Sequence, residues 1–343
     1  MVWRKEPWSV PYCSSIVLGP TPPDCRVTTT VKDRQYDDAL RLHAEVDAVW
    51  ESPGSNATHT FVYDHVELGL LGKECFKVSQ GDELSYEFKE AQKREPAEVD
   101  FDIEVLYEDE YLLVINKPSG LVVHPAPSVK EPTLVDWLIH KGISLSTISG
   151  EERHGIVHRI DKETTGALLV AKDNKTHEKL SKQLQDKSMG RYYLALIDHP
   201  LKYDIVVNKP IGRNLKNRLK MDVVDNGRDA KTAFVKLAQT KYAVELIAAK
   251  LFTGRTHQIR VHLHSLGRHI LGDDLYGFKS KRDKISRVNL HAYLLYFMHP
   301  HTKKKIEIKA ALFDDMNAYI EKYFDQNELA KKLDISTLGS LFN

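Results

Sequence analysis

The chain has 343 residues, of which 42% are hydrophobic and 28% are charged, a composition that excludes a wholly disordered, collagen-like or disulfide-stapled protein. At roughly 150 residues per domain, this length predicts about two domains. The 49 Lys and Arg residues almost balance the 48 Asp and Glu residues, so attraction to an anionic partner must come from local basic clusters.

The cysteines and the hydropathy pattern indicate where the protein works. Cys13, Cys25 and Cys75 match no zinc-binding spacing, and their low density is typical of reduced thiols in a cytoplasmic protein. No stretch approaches the roughly 18 apolar residues of a membrane span. The proline-interrupted N-terminus is a poor signal peptide, so we expect a cytoplasmic protein.

The N-terminal part carries weak patterns. They predict an irregular, proline-rich chain over 1–30, a helix over Asp37–Trp50 and two short strands within Lys73–Phe88. A charged, proline-containing stretch then indicates a linker. We therefore predict an N-terminal module at 1–90 and a linker at 91–102.

Stronger periodicity predicts a domain over 103–325, followed by a C-terminal tail at 326–343. The predicted strands are Leu112–Ile115, Leu121–Val123, Ala167–Ala171, Arg191–Ile197, Thr232–Leu237, Tyr242–Ile247, Leu290–Phe297 and Lys304–Ile308. The predicted helices run from an N-cap at Thr133 to Gly142, from a cap at Asn174 through Leu184, over Thr256–Leu266 and over Asp314–Phe324. Because several strands follow one another without a helix, the pattern favours an α+β fold with a mixed, largely antiparallel sheet.

The segment 155–166 contains a candidate reactive carboxylate. Arg159 precedes Asp161 by two residues, so both side chains point the same way if the segment is extended. A guanidinium keeps a nearby carboxylate ionised and oriented, and such an Asp can act as a nucleophile or a base. An ordinary loop ion pair is the alternative. A kinase is excluded because Ile160 interrupts the His-Arg-Asp order and no glycine-rich phosphate loop occurs.

The segment 251–263 contains a candidate anion site. Thr256 can cap the helix that follows, and a helix N-terminus next to Arg255 suits an RNA phosphate. Arg260 lies beside the apolar stripe of that helix, so it should have a carboxylate partner. Asp161 is a candidate partner.

Four histidines in this region raise the alternative of a metal site: His257, His262, His264 and His269. His262 does not share a helix face with His257 and His264, and no Cys or His-Glu-x-x-His pattern accompanies them. Structural histidines are the favoured interpretation.

Tyr192 and Tyr193 lie in a predicted strand, where neighbouring side chains face opposite sides. One ring could therefore stack on a flat ligand such as a nucleobase. Two tyrosines at the edge of the core are the alternative.

Basic residues cluster in three places: Lys209, Arg213, Lys216, Arg218 and Lys220; Lys279, Lys281, Arg282, Lys284 and Arg287; and residues 303–305. A single cluster is usually a solvated face, but three clusters in a nearly neutral chain indicate segregated charge. This pattern favours a polyanionic partner.

Four segments, in order, resemble the motifs of the RluA-type pseudouridine synthases. They are Leu113–Pro125, His158–Gly166, Arg191–Ala195, and Thr253–Leu263 followed by Gly272–Gly277. Ile160, Thr165 and Arg191 replace the family's commoner Leu, Ser and Lys conservatively. The resemblance covers about residues 103–325. It implies the pseudouridine synthase fold and the isomerisation of uridine to pseudouridine in RNA, with no cofactor and no metal.

The resemblance also implies roles for individual residues. It assigns the essential carboxylate to Asp161, pairs it with Arg260, and places Tyr193 against the uracil. Arg159 is expected to replace the extruded base in its stack, and Arg255 and the basic clusters to bind phosphates. The expected substrate-binding residues are Arg159, Arg255, His158 and Thr165.

Residues Val78–Leu84 resemble the C-terminal turn of an S4 RNA-binding domain, so we predict a degenerate S4-like module within 1–90. This layout is similar to the branch of the family that acts on large-subunit ribosomal RNA. A transfer RNA substrate and a catalytically inactive RNA-binding relative are the alternatives. We expect a monomer.

Overall fold

A computed structural model describes residues 97–125, 129–146, 155–279 and 285–342, together with the backbone of four strands nearer the N-terminus. The chain divides into two compact units, Met1–Arg94 and Glu95–Asn343. No helix within the described residues is long and apolar enough to cross a membrane.

The described part of the first unit is an antiparallel sheet. Its strands are β1 (Arg26–Tyr36), β2 (Leu42–Glu51), β3 (Thr58–Leu68) and β4 (Glu83–Glu87), in the order β3-β2-β1-β4. The helix predicted over Asp37–Trp50 is wrong, because β2 occupies most of that range. Apolar and polar residues alternate along β2, and a period of two is the pattern of a strand.

Other predictions for this unit fall largely on positions outside the described residues. β1 begins inside the predicted irregular stretch, and β4 corresponds to one of the two strands predicted within Lys73–Phe88. The other strand, the turn before β4 and residues 1–25 lie outside the described residues. The strands described here lend no support to an S4-like module, which stays a prediction.

The second unit is built on a nine-stranded sheet. Its strands are β5 (Glu104–Glu108), β6 (Leu112–Lys117), β7 (Thr165–Ala171), β8 (Gly190–Asp198), β9 (Ile205–Asn208), β12 (Lys231–Gln239), β13 (Val244–Leu251), β14 (Leu290–Met298) and β15 (Lys305–Lys309). The order is β5-β6-β7-β14-β8-β13-β12-β9, and β15 also pairs with β14. Only the β7–β14 pair is parallel within this described sheet. This confirms the predicted mixed, largely antiparallel α+β fold.

A two-stranded hairpin, six α-helices and a short 3-10 helix (Asp274–Tyr276) complete the described part of this unit. The hairpin consists of β10 (Ile211–Arg213) and β11 (Met221–Val223). The helices are α1 (Leu134–His140), α2 (Asn174–Asp186), α3 (Gln258–Ser265), α4 (Asp314–Tyr323), α5 (Gln326–Lys332) and α6 (Ile335–Ser340). The sequence did not predict β5, β9, the hairpin, α5 or α6.

Local hydrogen bonds explain where the helices begin. Thr133 caps α1 as predicted, and a reciprocal bond from its backbone N–H to the Asp136 carboxylate (2.8 Å) completes a capping box. Asn174 is not the cap of α2. Asp173 caps it instead, because its carboxylate accepts the N–H of Thr176 at 2.9 Å.

The strand predicted at Leu121–Val123 is wrong. These residues form a loop that leads to α1, and the carbonyls of Val122 and Val123 accept the first two helical N–H groups, from Leu134 and Val135. The apolar run reflects burial of Leu121 and Val123 rather than pairing in a sheet.

Strand β8 separates two parts of the core. Tyr193 belongs to a cluster with Leu168, Ile259 and Leu290 on one face. Tyr192 faces the other way and packs among the residues of the C-terminal helices. The two tyrosines therefore face opposite sides, as the sequence predicts, and only one face of β8 leads to the site described next.

Candidate active site

One cleft in the second unit brings the predicted motifs together. It is open to solvent and is bordered by the loop after Ile160, by β8 and by the segment that leads into α3. Five of the seven predicted site residues line it: Arg159, Asp161, Tyr193, Arg255 and Arg260. Residues far apart in the chain thus meet at one opening that can admit a ligand.

The floor of the cleft is a group of three charges. Arg260 makes a bidentate pair with Asp273, with Nε at 2.7 Å and Nη2 at 2.8 Å from the two carboxylate oxygens. Its Nη1 lies 3.6 Å from Asp161 Oδ2. Arg260 and Asp273 are 6% and 1% exposed, whereas Asp161 is 19% exposed. Arg260 is therefore fixed from below and presents its remaining edge to a carboxylate that faces the cleft.

Electrostatics and an aromatic ring keep Arg260 charged and in place. Burial by itself lowers the pKa of Arg260, but the pairs with Asp273 and Asp161 outweigh it and raise that pKa above its usual value. The guanidinium carbon lies 4.9 Å from the centre of the Tyr276 ring. The Tyr276 hydroxyl in turn accepts the N–H of Met221 at 2.9 Å. The β10–β11 hairpin is thereby tied to the floor of the cleft at the start of β11, next to the hairpin loop.

A buried lysine holds the loop that carries Asp161. Lys117 is fully buried at the end of β6. Its Nζ donates to three backbone carbonyls, those of Pro118 (2.7 Å), Leu121 (2.9 Å) and Lys162 (3.0 Å). Burial lowers the pKa of Lys117 to about 7. Lys117, which lies in the first of the four family motifs, therefore holds the backbone of Lys162, the residue next to Asp161.

Tyr193 lies at the bottom of the cleft. Burial raises the pKa of its hydroxyl, with Arg191 opposing and Asp161 reinforcing the effect. The group is thus a neutral phenol at ordinary pH. Its ring is 3% exposed, and its edge joins the lining of the cleft.

The start of α3 differs from the prediction. Thr256 makes no cap, and His257 occupies the N-cap position in the left-handed region, with φ of 56°. The preceding loop is held by buried Gln258, whose side-chain oxygen accepts from the Thr253 hydroxyl (2.7 Å) and from the Arg255 N–H (2.9 Å). Arg255 reaches the cleft wall from this loop, and its Nε donates to the Asp229 carbonyl at 2.9 Å.

Two predicted substrate-binding residues lie behind the cleft. His158 is 8% exposed, and its Nδ1 lies 2.8 Å from Nη1 of Arg191. Thr165 is fully buried in β7, with its hydroxyl 2.8 Å from His291 Nδ1. Neither side chain belongs to the lining of the cleft, and their roles in substrate binding stay predictions.

The histidines near α3 are engaged individually. His257 lies 2.9 Å from the Tyr276 hydroxyl, His262 lies 2.9 Å from the Thr232 hydroxyl, and His269 lies 2.9 Å from the Asp198 carboxylate. Within the parts of the chain that the structure describes, no three His, Cys, Asp or Glu side chains are grouped to hold a metal ion.

The predicted basic clusters occupy different settings. Most of the first cluster lies on the β10–β11 hairpin, whose loop exposes Leu215 (96%) and Leu219 (76%) between the basic residues. In the second cluster, Arg287 pairs with Asp315 at 2.5 and 2.6 Å, and residues 280–284 lie outside the described residues. The third cluster leads into β15.

The chain is similar in sequence to known RNA-modifying proteins. Residues 111–265 match the family model described as RNA pseudouridylate synthase. An uncharacterised RNA pseudouridine synthase of Helicobacter pylori J99 is 50% identical over 244 residues, which cover 69% of this chain and 75% of that protein. The ribosomal large subunit pseudouridine synthase D of Pseudomonas aeruginosa is 37% identical over 250 residues, which cover 69% of this chain and 77% of that protein.

A solved structure shares the fold. Human RNA pseudouridylate synthase domain containing 1 superimposes with a TM-score of 0.54 at 24% identity, covering 71% of this chain and 98% of that one. The sheet, the cleft and the sequence matches together define an RNA-modifying isomerase. The chain belongs to the RluA-type family of RNA pseudouridine synthases. The predicted family and enzyme class are confirmed.

Proposed function

We propose that this enzyme converts specific uridines of large-subunit ribosomal RNA to pseudouridine in the cytoplasm, with Asp161 as the essential carboxylate. The observation that carries the assignment to Asp161 is its position. Its carboxylate faces the cleft, 3.6 Å from an Arg260 that is already fixed on Asp273. A side chain held in this way is positioned before the substrate arrives, and such preorganisation lowers a barrier.

The reaction detaches uracil from its sugar and rejoins it through another atom. The N1–C1′ bond breaks with its electron pair on the base, the base turns, and C5 bonds to C1′. The C5 proton is then lost and N1 gains a proton, so the product is an isomer of the substrate. Asp161 bonds to the sugar, bonds to the base or assists loss of a sugar proton, and each of these three routes needs its carboxylate within reach. Tyr193 supports the base from below with a ring that is fixed by the core.

The cationic side chains around the cleft extrude the uridine and bind the RNA backbone. Arg159 is exposed at the mouth, where its guanidinium can fill the gap left in the base stack. Arg255 and the hairpin cluster supply positive charge for phosphates on either side. The basic residues of the hairpin and Arg255 support a polyanionic substrate rather than a small molecule.

Ribosomal RNA is favoured over transfer RNA because several relatives are named ribosomal large subunit synthases. Those of Zymomonas mobilis and Pseudomonas aeruginosa are 42% and 37% identical to this chain. The decisive experiment is carbodiimide mapping of pseudouridine in ribosomal and transfer RNA from cells with and without the protein. Disappearance of pseudouridine sites from large-subunit ribosomal RNA in cells without the protein supports the proposal. Loss of sites confined to transfer RNA would instead make transfer RNA the substrate.

Asp161→Asn tests the assignment of the carboxylate. The variant keeps the size of the side chain and should form no product, while RNA affinity stays within about threefold of wild type, because the phosphate contacts remain. Product formation at a substantial fraction of the wild-type rate would remove Asp161 from the reaction. If Asp161→Asn loses all the activity that the wild type shows, the catalytically inactive alternative is also excluded, because the wild-type protein is then an active enzyme.

A further inference from the structure

A second guanidinium in the cleft lacks an anionic partner. Arg191 lies on β8 and is 8% exposed. Its Nε is buried and has no hydrogen-bond partner. Among the ion pairs of the described residues, the Asp161 and Asp273 carboxylates belong to Arg260, and none involves Arg191. Of the two buried guanidinium groups in the cleft, that of Arg260 is therefore neutralised and that of Arg191 is not.

The contacts of Arg191 do not offset its charge. Nη1 lies 2.8 Å from His158 Nδ1, and both burial and the Arg191 charge lower the pKa of His158 well below its usual value, so the ring is neutral. Nη2 points toward the Gly254 loop, where a Cβ added to Gly254 would lie 3.8 Å away. Burying a charge without a counter-charge destabilises a fold. A fold that retains such a charge in its cleft is suited to an anion that arrives from outside.

The target nucleotide offers two kinds of anion, a phosphate and the uracil itself once the N1–C1′ bond breaks. The position of Arg191 discriminates between them. Residues 191 and 193 are two apart on β8, so their side chains leave the same face of the sheet. Arg191 is consequently beside Tyr193, where the base is proposed to lie. The exposed Arg159 and the half-buried Arg255 occupy the outer part of the cleft, where the RNA backbone passes.

We propose that Arg191 binds the anionic uracil that forms during the reaction. This inference rests on the proposed role of the cleft in holding the base. When the bond breaks, both electrons remain on N1 and the negative charge spreads over the ring and its two carbonyl oxygens. The guanidinium of Arg191 stabilises that charge. The charge is neutralised when C5 bonds to C1′, and loss of the C5 proton is then balanced by protonation of N1, so the step is an isomerisation that needs no oxidant or other reactant.

Arg191→Met, which keeps length and removes charge, tests the role in the full-length protein. The assay is single-turnover pseudouridine formation on any ribosomal or transfer RNA transcript that the wild type modifies. We expect the rate at saturating RNA to fall about 100-fold, as when one oxyanion donor is removed. RNA affinity should stay within about threefold, and Arg191→Lys should recover part of the rate. Arg268→Met is the matched control, because Arg268 donates only to backbone carbonyls away from the cleft.

Two further readouts separate this role from the alternatives. The melting temperature of Arg191→Met should equal or exceed that of wild type, because an uncompensated buried charge is removed. A transcript with 5-fluorouridine should reduce the deficit of the variant, because fluorine itself stabilises charge on the ring; base detachment is followed by mass spectrometry. An unchanged rate with weaker, less salt-dependent binding would identify a phosphate contact instead. A rate loss matched by a loss of thermal stability would identify a structural residue.

These results are independent of the proposed substrate. Mapping of cellular RNA decides between ribosomal and transfer RNA, whereas the variants of Arg191 are compared with wild type on one transcript. A wrong substrate proposal therefore changes the transcript and leaves the test of Arg191 intact.

Discussion

The buried pair between Arg260 and Asp273 should matter more for stability than its two hydrogen bonds suggest. Removing one partner from a buried ion pair costs about 3–5 kcal/mol, because the remaining charge loses its compensation. Asp273→Asn keeps the size and one acceptor oxygen, and Arg260 still has Asp161 at 3.6 Å. We therefore expect the lower end, about 3 kcal/mol. For a unit of this size, that corresponds to a melting temperature about 6–12 °C lower.

The chain provides a matched control for this prediction. Arg287 and Asp315 form a bidentate pair of similar geometry, but Asp315 is 41% exposed. Asp315→Asn should therefore cost less than about 1 kcal/mol. Thermal unfolding of both variants measures the difference. Equal shifts in melting temperature would refute the argument that burial, rather than the number of hydrogen bonds, sets the cost.

Activity gives an independent check of the same pair. Without Asp273, the Arg260 guanidinium can move relative to Asp161, and a displacement of about 1 Å can lower a rate about 100-fold. We expect the single-turnover rate of Asp273→Asn to be about 100-fold below that of wild type. The rate is measured well below the melting temperature of the variant. A wild-type rate would show that Asp161 keeps its position without this support.

Three other substitutions test separate parts of the fold and site. Burial lowers the pKa of Lys117 to about 7, while the unfolded chain keeps a value of about 10.4. Between these values the unfolded state binds the extra proton, so the free energy of unfolding should rise with pH more in wild type than in Lys117→Met. Urea unfolding at about pH 6 and pH 9 measures this, and parallel changes would contradict it. Tyr193→Phe keeps the ring and should slow single turnover about tenfold without weakening RNA binding; an unchanged rate would exclude the hydroxyl from proton transfer. Gly166→Ala puts a Cβ 2.3 Å from the Ala292 carbonyl oxygen at a φ of 110°, so it should cost about 3 kcal/mol or more, against about 1 kcal/mol for Gly267→Ala in open space. Comparable losses would mean that the Ala292 backbone yields easily.

Much of the catalytic unit follows from hydrophobic patterning. The predicted strands at Leu112–Ile115 and Ala167–Ala171 correspond to β6 and β7, because continuous apolar runs are typical of strands buried on both faces. Short strands without such runs were missed, as at β9, β10 and β11. Tyr242–Ile247 was placed two residues early because a turn with Ala243 at a φ of 60° precedes β13.

The site shows a similar division between local and distant information. The sequence predicts that Asp161, Tyr193 and Arg260 meet, and the cleft contains all three. It also indicates that Arg260 needs a carboxylate, but it does not identify Asp273. That residue lies 13 positions beyond Arg260 in a loop, and no periodicity connects the two. The sequence likewise does not indicate that Lys117 holds the loop that carries Asp161, because the three acceptors of its Nζ are backbone carbonyls.

The C-terminal helices have a consequence for how the enzyme matures. Leu329 and Leu338 pack with Tyr192 against the side of β8 that faces away from the cleft. While the chain is being synthesised, this rear surface is covered only in part, by α4 residues such as Met316 and Ile320, until residues 326–342 have left the ribosome. The side chains of the cleft are therefore synthesised before the packing behind β8 is complete. A nascent chain that ends at residue 325 contains Asp161, Tyr193 and Arg260 but lacks the support of α5 and α6.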